Sequence, residues 1–378
     1  MLSTPLAIFG LCFDPKHYKY YSVAIVLNLA FIGYYFEPLI SDDLYRHFLD
    51  INHLQKMHII DVVRMYATDP LVVKNLWFFV VSRTKISGLL PFSAVFITYY
   101  ILVRDIFEFA QKERIPNGYT VSFVVMVLIS WQLIWVMSGV RFSVSIALFF
   151  HGLHREFIQE KRNWATWSFY FLPLFIHYSG IILIAIRGLV LLRGWIKHLV
   201  KMSLLFWSHF AELIIALLSS FGGSYLQGVT RKMQAYMLYS NESQYMLVTK
   251  YVKLAFCILF ILGLGLLKTK NRLIYEENSE FYDYGLWLSL FCIGGRNVFI
   301  IPDRFGFMVL AMLPFVFLPL LGCNKTKILK QTYAISYLPL AIMGIYLQYV
   351  PMKATNYGIA VSQFLTRNLI QLFINHQW

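Results

Sequence analysis

Charged residues are scarce in this sequence, since only 14% of its 378 residues are Asp, Glu, Lys or Arg. A soluble domain usually carries about 25%, and 58% of this chain is hydrophobic. Apolar runs approach the roughly 20 residues that cross a bilayer as a helix. The composition therefore excludes an ordinary soluble domain and predicts an all-α polytopic membrane protein with about 10–12 transmembrane helices.

Cysteine is also scarce, and several sequence motifs that bind metals or phosphates or carry catalytic nucleophiles are missing. The sequence has no Gly-rich phosphate loop with lysine, no nucleophile elbow and no Asp-any-Asp motif for a metal-bound nucleotide sugar. It also lacks the basic segment and cleavage site of a signal peptide. These absences favour a protein without metal or cofactor. The cysteines, which show no zinc-ligand or redox spacing, are Cys12, Cys257, Cys292 and Cys323.

Positive charge is in excess, with a formal net charge of +14, and it is concentrated in short connectors between apolar runs. Along the chain, these basic connectors alternate with less basic ones. This alternation fits the positive-inside rule if all the basic connectors lie in the cytoplasm. The charge then reflects positive-inside loops and contact with anionic lipid rather than nucleic acid. The basic connectors are residues 104–114, 155–162, 193–201, 268–272 and 325–330.

Apolar runs of helical length predict where the chain crosses the membrane. One run contains a proline and splits into two short helices that meet at His177. We find no internal repeat and no soluble domain, so residues 1–378 form a single integral membrane domain. The predicted spans are Tyr20–Phe36, Ile86–Val103, Val121–Met137, Phe142–His154, Trp164–Ile176 with Ser179–Leu192, Met202–Leu218, Tyr251–Leu267, Tyr284–Ile301, Phe305–Leu321 and Thr332–Tyr349.

Two segments do not fit this count of spans. Leu71–Val81 is apolar, but a span there would invert the orientation of everything after it. Ile51–Tyr66 has a mixed amphipathic face that repeats at three- and four-residue steps. Both are predicted to be juxtamembrane helices on the outer surface, within an external loop of about residues 40–85. A second external loop covers about residues 219–250 on the same reasoning.

Polar residues gather at the start of the first external loop. Asp42 and Asp43 are followed by Tyr45, Arg46 and His47, just beyond the first strong span. Acids also favour the first turn of a helix, so a solvated loop start that caps a helix is the structural alternative. The functional interpretation makes Asp43, or else Asp42, a general base, because Asp43 shares a helix face with Arg46 and His47.

Further ionisable residues lie at the predicted outer ends of later spans. Arg141 follows Gly139 in a short turn, and His177 is surrounded by apolar residues. Arg296 is predicted to lie about two turns deep in a span, and Arg304 lies in a predicted turn. Ionisable residues at membrane depth are usually functional, but each has a structural alternative: Arg141 contacts headgroups, His177 packs in the core, and Arg304 pairs with its neighbour.

Taken together, the acids, the histidine and the arginines are suited to one outward cavity. The planar fork of arginine matches phosphate oxygens, so Arg141, Arg296 and Arg304 suit the pyrophosphate of a lipid carrier. A carboxylate or imidazole beside a bound sugar accepts a proton. Asp43, Asp42 and His177 are therefore the catalytic candidates, and Arg46 and Tyr45 join the three arginines as substrate-binding candidates.

At these residues the chain resembles a known family. The stretch 138–147, Ser-Gly-Val-Arg-Phe-Ser-Val-Ser-Ile-Ala, is similar to the Gly-Ile-Arg-Gln…Ala stretch of EpsG-type and Wzy-type polysaccharide polymerases. The stretch 175–181 is similar to their Phe-His-Pro/Tyr-Ser-Ala stretch, and residues 42–46 resemble their Asp-Tyr region. Arg296 and Arg304 fall where the family tends to have late arginines. The resemblance implies a glycosyltransferase fold of the GT-C kind, in which juxtamembrane helices follow an early span.

The resemblance further implies an inverting polymerase that joins oligosaccharide repeat units carried on undecaprenyl pyrophosphate. It would act in a bacterial cytoplasmic (inner) membrane, with its site facing outward, and its partners would be the lipid-linked donor and acceptor and the surrounding lipids. A chain-length regulator protein is a further candidate partner. Two other classes remain open: a lipid-linked oligosaccharide flippase, and a membrane O-acyltransferase that uses an embedded histidine.

Overall fold

The computed structural model describes residues 10, 17–40, 42–67, 69–220, 223–237, 244–298, 300–323 and 326–355. These residues fold into helices joined by short connections. The chain packs as two compact units, one of residues 1–68, 72–148 and 332–378 and the other of residues 69–71 and 149–331. Residues 1–16, apart from Gly10, and residues 356–378 lie outside the described residues. The single membrane domain stays a prediction.

Helices account for most of the described chain. Their apolar residues recur at helical spacing, and polar or glycine positions separate them. The first eight helices bounded by described residues are α1 (Tyr18–Tyr34), α2 (Asp43–Gln55), α3 (Ile59–Tyr66), α4 (Val72–Thr84), α5 (Leu89–Lys112), α6 (Asn117–Ser130), α7 (Leu133–Ser138) and α8 (Val140–Leu153). A π-helical turn, His154–Ile158, continues α8.

The second half of the described chain continues the all-helical pattern and adds one 3-10 turn at Trp207–Phe210. Its helices are α9 (Trp164–Ile176), α10 (Gly180–Leu189), α11 (Gly194–Leu204), α12 (Ala211–Ser220), α13 (Ser224–Met237), α14 (Gln244–Lys270), α15 (Arg272–Glu277), α16 (Ser279–Gly294), α17 (Ile300–Gly322) and α18 (Lys327–Thr355).

Length and composition identify three described helices able to cross a membrane: α5, residues Met246–Lys270 of α14, and α17. A fourth span is obtained if α11 and Trp207–Leu217, which meet at a 77° bend, count as one. Three shorter apolar helices, α6, α9 and α10, accompany them. The all-α, polytopic membrane class is confirmed. Fewer helices qualify than the ten to twelve expected, because several expected spans are short or broken.

The expected juxtamembrane segments are helical. Leu71–Val81 lies largely within α4, while Ile51–Tyr66 contains the end of α2, a break at residues 56–58 and all of α3. The buried stripe of α2 faces α4, where the ring of His47 lies 5.0 Å from that of Phe78. The position of these helices relative to a membrane stays a prediction.

The predicted span Val121–Met137 is broken in the structure. Helix α6 ends at Ser130 and α7 begins at Leu133, which leaves backbone groups at the break without helical partners. Gln348 of α18 supplies them: its amide donates to the carbonyls of Ile129 and Trp131 at 2.8 and 3.0 Å, and its carbonyl oxygen accepts the Leu133 N–H at 2.7 Å. Irregular backbone at membrane depth requires such internal partners.

The second unit is built around α17, whose side chains are buried along most of its length. Helices α14 and α16 pack against it, and the Tyr282 hydroxyl of α16 donates to the Phe315 carbonyl at 2.9 Å. The predicted span Tyr284–Ile301 is wrong at its C-terminal end, because α16 stops at Gly294 and α17 begins at Ile300. At Gly294 a Cβ atom would lie 1.7 Å from the Leu204 carbonyl oxygen, so only glycine fits this approach.

Candidate active site

The N-terminal end of α2 positions two of the predicted carboxylates. Asp42 has extended backbone and precedes the helix, and its carboxylate Oδ2 accepts the Leu39 N–H at 3.1 Å. Asp43 lies in the first turn, where the helix dipole favours an acid, and its carboxylate forms an ion pair with Arg46. The predicted shared face of Asp43 and Arg46 is therefore confirmed, and the side chains of this pair are largely exposed.

The two acids differ in environment. Asp42 is half-buried, and burial, together with the neighbouring charge of Asp43, raises the pKa of its carboxyl above the ordinary value, against the opposing effect of the Leu39 N–H. A carboxylate with a raised pKa is a better proton acceptor near neutral pH. Tyr45 is half-buried on the same helix and Arg46 is exposed.

His47 is the buried polar residue of α2. Its imidazole lies against Phe78 of α4, and its Nδ1 atom is 3.8 Å from the Asp50 carboxylate. Burial lowers the pKa of His47, and the positive charge of Arg141 lowers it further, while Asp50 and Asp43 oppose them. His47 is therefore neutral at pH 7. Helix α7, which directly precedes Arg141 in the chain, packs against α2.

Arg141 occupies the first turn of α8 and is half-buried. Gly139 makes this position possible, because its N–H bonds the Trp135 carbonyl at 2.8 Å and a Cβ atom there would lie 2.8 Å from the same oxygen. The turn predicted at Ser138–Arg141 is therefore shorter in the structure, where Gly139 alone separates α7 from α8. A cation in the first turn of a helix is unfavourable because it opposes the helix dipole. A stabilising effect on α8 therefore does not explain why an arginine occupies position 141.

The second unit holds the remaining candidates, beginning with His177. As predicted, two short helices, α9 and α10, meet at this residue, where the backbone is extended. The imidazole is buried, and its Nδ1 atom accepts the Ser179 N–H at 3.1 Å and lies 2.7 Å from the Ser179 hydroxyl. These contacts hold His177 in a fixed orientation against α10.

Arg296 and Arg304 are placed differently from the prediction. Arg296 follows the end of α16 and is exposed, so the expected position two turns deep in a span is wrong. Arg304 is the fifth residue of α17 rather than part of a turn between spans. Its neighbour Asp303 forms a buried ion pair with Lys253 of α14, and the Lys253 ammonium lies 3.8 Å from the centroid of the Phe307 ring.

Within the first unit, the structure brings Asp42, Asp43 and Arg46 to one end of α2, and it packs α7, the helix before Arg141, against α2. In the second unit, His177 is fixed against α10, and Arg304 follows Asp303, the acid of the buried Lys253–Asp303 pair.

Sequence reasoning missed several buried polar residues. His47 was seen only as part of the polar cluster, and Asn75, Glu156 and Lys253 were not singled out. The signal for Lys253 was available, since a lysine inside an apolar span is costly unless it is paired. Glu156 lies in the π-helical turn and accepts both the Arg187 guanidinium and the Tyr170 hydroxyl; π-helical turns often occur at functional sites.

Comparison with known proteins supports the resemblance found in the sequence. No curated protein and no solved structure matches the chain. A family profile does match: residues 75–360 fit that of the EpsG family. The matched range contains Arg141, His177, Arg296 and Arg304 and begins after the acidic end of α2. The matched range covers most of the 378-residue chain. The chain therefore belongs to the EpsG family.

Proposed function

We propose that this protein is a polysaccharide polymerase, an inverting glycosyltransferase that joins repeat units carried on undecaprenyl pyrophosphate. The growing chain on its lipid pyrophosphate is the donor, and the incoming lipid-linked unit is the acceptor. The proposal places the protein in a bacterial cytoplasmic membrane, with a GT-C-like architecture and a site facing outward. Membership of the EpsG family and the set of membrane-length helices support this assignment.

The observation that carries the proposal is the grouping of acids and an arginine around α2. Asp42 and Asp43 stand at its N-terminal end, and α7, which leads directly into Arg141, packs against the same helix. Carboxylates serve proton transfer, and arginine suits a pyrophosphate. This combination matches a reaction in which a hydroxyl attacks and a pyrophosphate departs.

In the proposed reaction, the acceptor hydroxyl oxygen bonds to the anomeric carbon of the growing chain. The bond from that carbon to the phosphate oxygen breaks, and the lipid pyrophosphate leaves with the electron pair. Arg141 stabilises the developing charge on the pyrophosphate, and a carboxylate takes the hydroxyl proton. Arg296 and Arg304 are proposed as further pyrophosphate ligands, and His177 as an alternative base.

Between the two carboxylates, the local contacts favour Asp42 as the base. Asp43 is already paired with Arg46 and stabilises the first turn of α2. Asp42 is half-buried, and its raised pKa brings it closer to the value that suits a base near neutral pH. The proposal therefore moves the preference from Asp43, favoured by the sequence, to Asp42.

The function is tested by deleting the gene and analysing the lipid-linked saccharides that accumulate. Loss of a polymerase leaves single repeat units on the outer leaflet, because each unit is still made and transported but not joined. Single units trapped on the inner leaflet would instead indicate a flippase. Polymer of normal length and amount that lacks only acyl groups would indicate an O-acyltransferase. Either of these results would overturn the proposal.

Complementing the deletion with Arg141→Lys adds a test at the site. Lysine keeps the charge but not the planar two-pronged donor of arginine, so we expect most of the polymer to be lost. Arg64→Lys is the matched control, because Arg64 is exposed on α3 in the same unit. Normal chains in normal amount from Arg141→Ala would show that Arg141 does not bind the pyrophosphate.

A further inference from the structure

Helix α4 carries a buried amide that the mechanism above does not use. Asn75 is only 3% exposed, and within the described part of the chain neither its side-chain nitrogen nor its oxygen has a hydrogen-bond partner. Most buried polar groups in proteins are paired, and an unpaired one calls for an explanation. A ligand that supplies both an acceptor and a donor would provide one.

The packing of α2 and α4 locates this amide. The Arg83 guanidinium, near the end of α4, donates to the carbonyl of Met57, just beyond the end of α2, at 2.9 Å. The rings of Phe78 and His47 meet along the interface. The two helices therefore run side by side in the same direction. Asn75, one turn before Phe78 on the same buried face, lies alongside the first turns of α2, the end at which Asp42 stands.

His47 contributes a second polar group to this interface. It is 7% exposed, and its Nδ1 atom lies 3.8 Å from the Asp50 carboxylate, too far for a hydrogen bond; among the described residues this atom has no hydrogen-bond partner. Burial and the charge of Arg141 lower the pKa of His47 despite Asp50 and Asp43, so its ring is neutral at pH 7. A neutral imidazole donates from one nitrogen and accepts on the other.

The chemistry of this pair points to one class of ligand. An amide and a neutral imidazole each offer one donor face and one acceptor face, which suits a hydroxyl that both donates and accepts. A phosphate oxygen only accepts, and it would be repelled by the amide and imidazole acceptors. Arg141 is suited to the phosphate, whereas Asn75 and His47 are suited to a sugar hydroxyl.

We propose that Asn75 and His47 bind a hydroxyl group of the acceptor saccharide and so position that sugar beside Asp42. This inference rests on the proposed polymerase function and adds two residues that select and orient the acceptor. It concerns binding, so these residues affect the KM for the lipid-linked unit more than kcat.

The test replaces Asn75 with leucine, which has a similar size and no polar atoms. Replacing an unpaired buried polar group by an apolar one of the same shape is nearly neutral or stabilising, so Asn75→Leu is expected to keep the unfolding temperature of the wild type. With purified protein and lipid-linked saccharides extracted from the deletion strain, its KM is expected to rise on the order of tenfold, the effect of losing about one hydrogen bond.

Two further variants sharpen the test. Thr98→Val is the matched control, because Thr98 is a buried residue of α5 whose hydroxyl also lacks a partner within the described chain; its KM is expected to stay unchanged. His47→Phe keeps a ring against Phe78 but removes both nitrogens, and it should raise KM as Asn75→Leu does. It also keeps the inference testable if Asn75→Leu fails to fold.

The outcomes separate this inference from the function on which it rests. If the wild type makes polymer and both folded variants keep its KM, the hydroxyl site is wrong and the polymerase stands. A loss of kcat at unchanged KM would equally overturn the hydroxyl site. Wild-type protein that joins no lipid-linked units would overturn the polymerase, and the inference with it.

Discussion

Asp42 and Asp43 are neighbours in the chain, yet their carboxylates lie in different surroundings. Both are half-buried, but Asp43 pairs with Arg46, while Asp42 turns back and accepts the Leu39 N–H. Successive residues at a helix start point in different directions, so a sequence of two acids cannot say which one reaches a cavity. The structure distinguishes the two carboxylates by their partners, which are the Leu39 N–H for Asp42 and Arg46 for Asp43.

At the residue scale, we predict that Asp42→Asn lowers the kcat of polymer formation by about 10²–10⁴-fold, the usual contribution of a general base. Protonated Asp42 cannot accept a proton, so the wild-type rate falls as the pH drops through its pKa. Because that pKa is raised, the fall begins above the ordinary aspartate value of about 3.9. Rates of purified protein measured against pH, with substrate binding shown separately, check both expectations.

Asp61→Asn is the control for this prediction, because Asp61 is an exposed acid of α3 in the same unit. It should leave both the rate and the pH profile unchanged. If the Asp42→Asn protein folds and keeps near wild-type rates, Asp42 is not the general base. If Asp43→Asn were inactive instead, Asp43 would be the base. If only His177→Ala lost its activity, His177 of the second unit would be the base.

Candidate site residues were predictable where a local motif marked them. Arg141 stands out beside Gly139 between two apolar runs, and His177 follows a proline in an apolar stretch. Asn75 and Lys253 were missed because an amide or a lysine in a helix is ordinary until its burial and partners are known. Burial depends on which helices pack together, which hydrophobic periodicity does not specify.

At the scale of the elements, helix positions followed from the sequence better than helix breaks. The junction of α9 and α10 at His177 was predicted because Pro173 disfavours a continuous helix. The break between α6 and α7 was not, because neither Gly nor Pro marks it and its backbone partner is Gln348, far along the chain. A break whose hydrogen bonds are supplied from a distant helix leaves little local signal.

We therefore predict that Gln348→Leu destabilises the first unit. The Leu133 N–H and the Ile129 carbonyl lose their partner, and each buried group left unpaired costs about 1–3 kcal/mol. The unfolding temperature in detergent should fall clearly below that of the wild type. Polymer formation should fall as well, because α7 leads directly into the helix start that holds Arg141. Gln331→Leu, an exposed change on the same helix, is the control.

The two variants give a clear contrast. Each replaces one glutamine of α18 with leucine, so the intrinsic helix propensity changes equally in both. Equal unfolding temperatures for Gln348→Leu, Gln331→Leu and the wild type would show that the break between α6 and α7 does not depend on the Gln348 amide. In that case the backbone groups at residues 129–133 find other partners.

At the scale of the whole molecule, composition was sufficient to predict the class, because no soluble core requires so much apolar sequence and so little charge. The EpsG resemblance was likewise readable from short stretches around Arg141 and His177 and is confirmed over residues 75–360. The number of spans was not predictable in the same way. Apolar runs mark burial in lipid and burial in protein alike, and they do not show where a helix bends or stops.

Orientation across the membrane depends on the basic connectors, and it decides whether the proposed site faces outward. Arg231 in the predicted external loop and Lys161 in the predicted cytoplasmic connector are both exposed basic residues. Replacing either with cysteine removes one positive charge, so the two variants are matched. In a background in which Cys12, Cys257, Cys292 and Cys323 are replaced, Arg231→Cys should react with an impermeant thiol reagent added to intact cells.

Lys161→Cys should react only after the cells are permeabilised, because three basic residues in its connector favour the cytoplasm. Labelling after permeabilisation therefore serves as the control that each thiol is accessible. Reaction of Lys161→Cys, but not Arg231→Cys, in intact cells would reverse the predicted orientation. The acids of α2, placed by the same alternation of basic connectors, would then face the cytoplasm, where the growing chain proposed here as donor is absent, and the polymerase mechanism would fail with them.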